Sequence, residues 1–319
     1  MTEFIGLDLG GTKVALATLR DRELGESVVR PTEQSSPGRL IDQLVEMVQS
    51  VRSGALDAVG IGVPSVVEFE TGRVVSSVHV PLADLPLRAM LSERLGVPVF
   101  VDNDASVAAL AEAHDEDLRM VTRDLVMITV GTGVGGGLVL GGRIYRGATG
   151  GAGELGHTIV GVELAGWEAG LDGFPQPGSF ERVASGSALD RLAAQCAEQH
   201  PDSALGKLRA VGKAVLGPEA LEAAREGDGA AARAIELWAQ RVGIGVANAI
   251  NTFDPAEVVI GGGAARAGEL LLVPACRVAR RYVLPGLGGR TTIRLARHGV
   301  RAGVLGAALL ARHEKTGAP

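Results

Sequence analysis

The chain has 319 residues, 46 of them glycine and only 2 cysteine, with 46% hydrophobic residues and a formal net charge of -6 at pH 7. Glycine stands at about twice its usual share of roughly 7%, yet no G-X-Y period accompanies it, which excludes collagen and low-complexity disorder. The acidic balance leaves no electrostatic footprint for nucleic acid or an anionic membrane, and Cys196 and Cys276 are too few for a disulfide framework or a four-thiolate metal site.

These features predict a cytoplasmic globular protein that works on small molecules. The length suggests two α/β lobes. The first is expected over residues 1–118, completed by a C-terminal helix at 303–319, and the second over 119–302. Met1-Thr2-Glu3 is acidic and Asp8 interrupts the first apolar stretch, so no export signal is read there.

In chain order, Phe4 to Leu9 and Val14 to Leu19 read as strands around the turn Gly10-Gly11-Thr12-Lys13, with a third strand near Val28-Val29. Leu40, Ile41, Leu44, Val45 and Val48 recur at helical spacing, predicting a helix over 38–51, and Val59 to Val63 returns to strand. Leu87 to Leu95 predicts a second helix and Val97 to Val101 a buried strand. Ala105 to Ala113 is a third helix, starting directly after Asp102-Asn103-Asp104. Residues 125–142 carry no charge, but their seven glycines and two threonines suit strands around a turn better than a membrane span. That segment repeats the strand, glycine turn, strand opening of the chain, with Gly131-Thr132-Gly133 at the turn. Ile235 to Asn251 is a long helix, Glu257 to Ile260 a strand, Gly261-Gly262-Gly263 a turn, Ala264 to Tyr282 a helix, and Gly303 to Arg312 the last helix.

Gly131-Thr132-Gly133-Val134-Gly135-Gly136 fits G-x-G-x-x-G, but a dinucleotide fingerprint must open a helix, and here Leu138-Val139-Leu140 continues as a strand. No G-x-x-x-x-G-K-[ST] occurs either. What remains is a pair of hairpin loops whose bare backbone amides can face phosphate.

Asp8-Leu9-Gly10-Gly11-Thr12-Lys13, Asp102-Asn103-Asp104, the glycine loop from Gly131 to Gly137, Glu154-Leu155-Gly156-His157 and Gly261-Gly262-Gly263 together resemble the ROK family of sugar kinases and repressors. The resemblance runs from the first strand to the last helix, and is strongest to the family's bacterial glucokinases. It implies a two-lobed actin and hexokinase-like fold, a duplicated ribonuclease H-like α/β architecture with an active-site cleft between lobes. It also implies ATP and Mg2+ as cofactors and a homodimer. Asp104 would be the catalytic base, with a plain capping carboxylate at the helix N-terminus as the lesser alternative. Asp8 would hold magnesium through water. Gly10, Gly11, Thr12 and Lys13 match the first phosphate loop, Gly131, Thr132 and Gly133 the second, and Gly261, Gly262 and Gly263 would pass beneath the adenosine. Asn103, Asp104, Glu154, His157 and Glu181 match the sugar contacts, with His79 a weaker candidate.

One part of the family pattern is missing. Most members follow the Glu-x-x-His stretch with C-x-C-G-x-x-G-C, whose thiolates join the histidine on a structural zinc. Here Asp172, Phe174 and Ser179 occupy those places, so no zinc is expected. Trp167, Phe174, Pro175, Pro177 and Phe180 are expected to pack together and hold the loop instead. Ser65 and Glu68 also stand where the family usually has glycine and aspartate, which bears on the choice of sugar. Glucose is the leading substrate; fructose or an N-acetylated amino sugar such as N-acetylmannosamine, and polyphosphate as donor, are the alternatives within the kinase class. A repressor would need a helix-turn-helix ahead of Asp8, for which the sequence has no room, and a non-catalytic sugar-binding protein would not need Asp8, Asp104 and both loops.

Overall fold

The structure, a computed structural model, describes residues 2–77, 80–161 and 173–317. From the N-terminus run β1 (Glu3–Leu9), β2 (Lys13–Arg20), β3 (Glu23–Leu24), β4 (Val28–Pro31), α1 (Pro37–Val51), β5 (Ala58–Val63), β6 (Ser65–Glu68), β7 (Arg73–Ser77), α2 (Leu87–Leu95), β8 (Val99–Asn103) and α3 (Asp104–Glu112). There follow β9 (Leu125–Val130), β10 (Val134–Leu140), β11 (Arg143–Ile144), then α4 (Phe180–Ala184), α5 (Gly186–Gln199), α6 (Ala204–Ala210), α7 (Gly217–Arg225) and α8 (Gly229–Phe253). The chain closes with β12 (Glu257–Gly261), α9 (Glu269–Tyr282), β13 (Thr292–Leu295) and α10 (Ala302–Thr316). It divides into two compact units, one of Met1–Met127, Gly137–Gly153 and Arg297–Pro319, the other of Ile128–Gly136 and Glu154–Ala296.

The first unit is built on a sheet in the order β3-β2-β1-β5-β8, with β4 also on β2. β1 pairs antiparallel with β2 and parallel with β5, which pairs parallel with β8. The register puts Asp8 opposite Gly62 and Gly62 opposite Asp102, so these three positions share the carboxyl end of the parallel strands. That edge is where open α/β sheets usually bind ligands. α1 starts on a Ser36 side chain that accepts from the Arg39 amide, has Pro37 at its first position, and buries Leu40, Ile41, Leu44, Val45, Met47 and Val48 against the core. Gly6 and Gly60 face each other across β1 and β5, and together they leave a furrow that α10 fills. A Cβ on Gly6 would overlap the Val304 carbonyl and one on Gly60 the Ala307 carbonyl, so the helix backbone lies directly on the sheet.

The second sheet runs β11-β10-β9-β12-β13, with β9 and β10 carrying the chain from one unit to the other. In the second unit, β12 and β13 pair in parallel, α8 and α9 pack where Gly243 meets Ala275, and buried Trp238 donates its indole N–H to the Ala184 and Ser185 carbonyls. No described helix is long and apolar enough to cross a membrane.

Two elements differ from expectation for local reasons. The strand expected from Val97 begins at Val99, past Pro98, which has no N–H to give a ladder. The helix expected over 264–282 is a 3-10 turn at Gly263–Ala267 and then α9, separated by Gly268 at φ 60°. α4 to α7 were not anticipated at all.

At the far end of α3, the His114 and His313 rings pack at a tilt of 51°, their centroids 5.2 Å apart. The His114 Nδ1 lies 2.8 Å from the Leu110 carbonyl, and burial pushes the imidazole down to about 4, with Arg312 and His298 adding to the shift and Asp115 opposing it. His313 falls to about 3 for the same first reason, helped by His114, Arg312 and Arg143. Both rings are therefore neutral in the folded protein at pH 7. In the unfolded chain a histidine takes its proton near 6.5, so stability is complete above that value and is lost as pH falls from there toward about 4. Urea unfolding should show a loss of about 2 kcal/mol between pH 7 and pH 5 from His114. His114→Gln has no proton to take up and should remove that part of the slope; an unchanged slope would place the acid sensitivity elsewhere.

Candidate active site

The two hairpin loops have the same hydrogen-bonding plan. In the first unit, the Gly10 amide donates to the Lys13 carbonyl at 2.9 Å, while the loop's carbonyls are taken by Thr32 Oγ1 on Gly10 at 2.7 Å, the Thr32 amide on Thr12 at 3.0 Å, and Gln34 Nε2 on Gly11. In the second unit, the Gly131 amide donates to the Gly133 carbonyl at 2.9 Å, the Gly186 amide takes the Gly131 carbonyl at 2.7 Å, and Ser187 Oγ takes that of Thr132 at 2.8 Å. Carbonyls are thus tied inward in both loops, and among the described residues the amides of Gly11, Thr12, Thr132 and Gly133 donate to nothing. Successive unspent amides beside glycine form an anion-binding concavity.

Within the first unit, Asp8 is the penultimate residue of β1, and its carboxylate lies against Gly303 in the first turn of α10, where a Cβ would meet Asp8 Oδ2. A helix N-terminus favours that charge, whereas burial pushes the carboxyl above its ordinary value and Lys13 draws it back only in part. Asn103 and Asp104 sit where β8 hands over to α3. The capping role weighed for Asp104 belongs to Asn103, whose Oδ1 accepts from the Ala105 and Ser106 amides at 2.9 and 3.1 Å. Asp104 is the first helical residue, and its Oδ1 accepts from the Ala105 amide at 2.7 Å. Gly62 gives it room, since a Cβ there would lie 2.7 Å from Val107 Cγ2 and 3.4 Å from the Asp104 Cα.

Sequence reasoning assigned no role to the pair behind this turn. Asp102 is 3% exposed, its Oδ1 accepts from the Asn103 amide at 2.9 Å, and its Oδ2 accepts from Arg146 Nε at 2.7 Å. Burial pushes the Asp102 carboxyl up while Arg146 pulls it down. Arg146 also donates to Glu314 at 3.1 Å and lies 3.4 Å over the Phe69 ring. Asp102 stood in a quoted motif, but Arg146, 44 residues away, gave no sign of being its partner.

Within the second unit, Val134 gathers the remaining candidates. Its amide donates to Glu181 Oε2 at 2.8 Å, its carbonyl lies against Gly156, and Glu154 and His157 flank that glycine with 3.7 Å between Oε2 and Nε2. Gly262, at φ 75°, presses on the backbone of Val130, one residue before the loop, and a Cβ at Gly263 would meet open space. Gly261 ends β12.

The aromatic loop departs from expectation. Phe180 is 1% exposed and lies against Gly245 of α8, whereas Phe174 is 75% exposed and sets its ring edge-on to His157 at 5.2 Å. Pro177 is exposed as well. These side chains form no single cluster because the helix that holds Glu181 takes Phe180 into its own core and leaves the preceding turn at the surface. Ser179, aligned with a thiolate position, is the N-cap of α4 and accepts from the Arg182 amide. Trp167, Asp172 and His79 lie outside the described residues. Among those described, no group of three or more His, Cys, Asp or Glu is placed to hold a metal ion. Ser65 is buried and bonds Ser77, and Glu68 accepts from Thr71 in the β6–β7 turn.

The ROK family profile matches residues 4–314. The chain belongs to the ROK family. It is 32% identical over 321 residues to a glucokinase from Halalkalibacterium halodurans, covering 98% of this chain and 96% of that one. It is 34% identical over 317 residues to an N-acetyl-D-glucosamine kinase from Salmonella typhimurium, covering 96% and 98%. The ROK family glucokinase of Streptomyces griseus, solved with glucose and AMPPNP, superposes with a TM-score of 0.78 at 32% identity, covering 98% of this chain and 99% of that one. This ROK protein shares the actin-like hexokinase fold of those kinases.

Proposed function

We propose that this ROK protein is an ATP- and magnesium-dependent sugar kinase that phosphorylates the 6-hydroxyl of a hexose, with glucose as the leading substrate. The observation that carries the reading is the matched pair of loops, each with its carbonyls tied back and two adjacent amides left for phosphate oxygens. Phosphoryl transfer asks a protein mainly to position its reactants and neutralise charge, and such loops do both.

Asp104 is the group proposed to take the proton from the attacking hydroxyl. One of its oxygens is fixed by the Ala105 amide, and Asn103 caps the helix beneath it, so the carboxylate is held at a set place without needing to cap. Asn103, Glu154, His157 and Glu181 are the proposed sugar contacts, a mix of donors and acceptors suited to vicinal hydroxyls. Glu181 has one oxygen committed to the Val134 amide, which leaves Oε1 for a hydroxyl and couples the sugar contact to the second phosphate loop. Asp8 fits a water-mediated magnesium partner, being a single carboxylate at the sheet's ligand-binding edge with Lys13 as its charged neighbour. Bound there, magnesium would neutralise phosphate charge. Gly263, open on its Cβ side, suits a flat adenine.

The relatives divide on the sugar, glucose for two of them and N-acetyl-D-glucosamine for the third. A coupled assay over glucose, fructose, N-acetylglucosamine and N-acetylmannosamine, each with ATP or polyphosphate, tests the reading. Glucose with ATP should give the highest kcat/KM. A higher value for an N-acetylated sugar would reassign the substrate, and no turnover with any pair would remove the kinase reading.

A further inference from the structure

The first unit has an open pocket of about 520 Å3 that plays no part in the site described above. It lies at the start of β1 and the end of α3, whereas Asp8 and Asp104 stand at their opposite ends. Four residues of strand and ten of helix make each separation about 13 to 15 Å. Phe4, Leu118 and Met120 give it an apolar floor, and Arg22, Arg312 and His313 stand among its walls. Among the described residues no acidic side chain lines it, in a chain whose net charge is -6.

Of the three arginines on the wall, one is paired with a carboxylate among the described residues and two are not. Arg119, also on the wall, has Asp117 at 3.4 Å. Arg22 and Arg312 have no ion-pair partner among the described residues, and Arg312 reaches only the Leu118 carbonyl, at 3.5 Å. Burial and the nearby Arg22 guanidinium both press Arg312 below the usual arginine range. Arg22 is one of the two residues, with Asp21 at φ 50°, that turn β2 into β3, so the backbone fixes where it projects. His313 adds a buried Nε2 with no hydrogen-bond partner. Two guanidiniums brought together without a carboxylate create a repulsion that a doubly charged anion relieves, and their forked donors match a phosphate's oxygens. The volume falls in the range of small-ligand pockets, and the apolar floor suits an organic group beside the charge.

We propose that this pocket binds a small phosphomonoester, its phosphate held by Arg22 and Arg312 and its organic part laid over Phe4, Leu118 and Met120. The site is independent of the kinase reading, since none of these residues serves it.

The test is a titration of the intact protein at constant ionic strength, with inorganic phosphate in one arm and glucose 6-phosphate in the other, followed by the NMR signals of the histidine rings. His114 and His313 line the pocket, so saturable shifts of their signals are expected, in the second arm above all if the apolar floor contributes. Arg22→Glu, a change on an exposed turn, and Arg312→Gln, which keeps much of the buried stem, should each weaken the apparent Kd by at least about tenfold, which is about 1.4 kcal/mol. Neither Arg22 nor Arg312 belongs to a glycine loop, so the loss of affinity in these two variants separates the pocket from phosphate bound at the two loops. Flat histidine signals in both arms, or equal affinity in wild type and Arg22→Glu, would overturn the proposal.

Discussion

Asp104→Asn is expected to lower kcat by about a hundred- to ten-thousandfold, the usual worth of a positioned general base, with little change in sugar affinity. Asparagine keeps an oxygen for the Ala105 amide but cannot accept the hydroxyl proton. Stability should fall by less than about 1 kcal/mol, because Asn103 holds the cap and the favourable charge lost at the first helical position is worth no more than that. Calorimetric sugar binding and a coupled assay on the same preparation separate these effects. Turnover near wild type in a folded, sugar-binding variant would remove Asp104 from the base role and return it to helix structure alone.

The second large effect is expected at Arg146. Arg146→Met keeps an unbranched apolar side chain but removes the guanidinium that lies over Phe69 and leaves buried Asp102 without its ion-pair partner, and removing one partner from such a pair costs about 3 to 5 kcal/mol. The Asp102 carboxyl can relieve part of this by protonating, since burial has already raised it, so the lower end of that range is expected. The double variant Asp102→Asn with Arg146→Met should recover much of the loss, because no buried charge is then left unpaired. If the double variant unfolds as readily as the single one, the contact with Phe69 rather than the charge pair holds the segment. Because Asp102 also holds the Asn103 amide, kcat should fall in the single variant even at temperatures where it remains folded.

Much of this was legible in the chain, and what was not has specific causes. The two hairpin loops could be read because β-branched runs stop abruptly at glycine, and no other local structure suits that pattern. The capping role weighed as an alternative for Asp104 falls one residue earlier, on Asn103, because Asp, Asn and Asp can all cap, and only the backbone decides which of them is the last extended residue. α4 and α6 span only five and seven residues, and the buried surface of α5 and α7 is carried largely by small residues, Ala188, Ala193, Ala220 and Ala223 among them, so few large apolar side chains mark these helices. The bonds from Arg146 to Asp102 and from Glu181 to Val134 span 44 and 47 residues, and no local spacing encodes them.

The furrow between Gly6 and Gly60 bears on how the protein is made. Its occupant, α10, is synthesised after every element of the second unit, although the sheet it covers is made before them. The nascent first unit must therefore wait, with the bare strand backbones of β1 and β5 on one face, while the whole second unit is translated and free to fold. Chains released before Ala302 would carry that uncovered face into the cell, and chaperone capture of such fragments should fall sharply once synthesis passes α10.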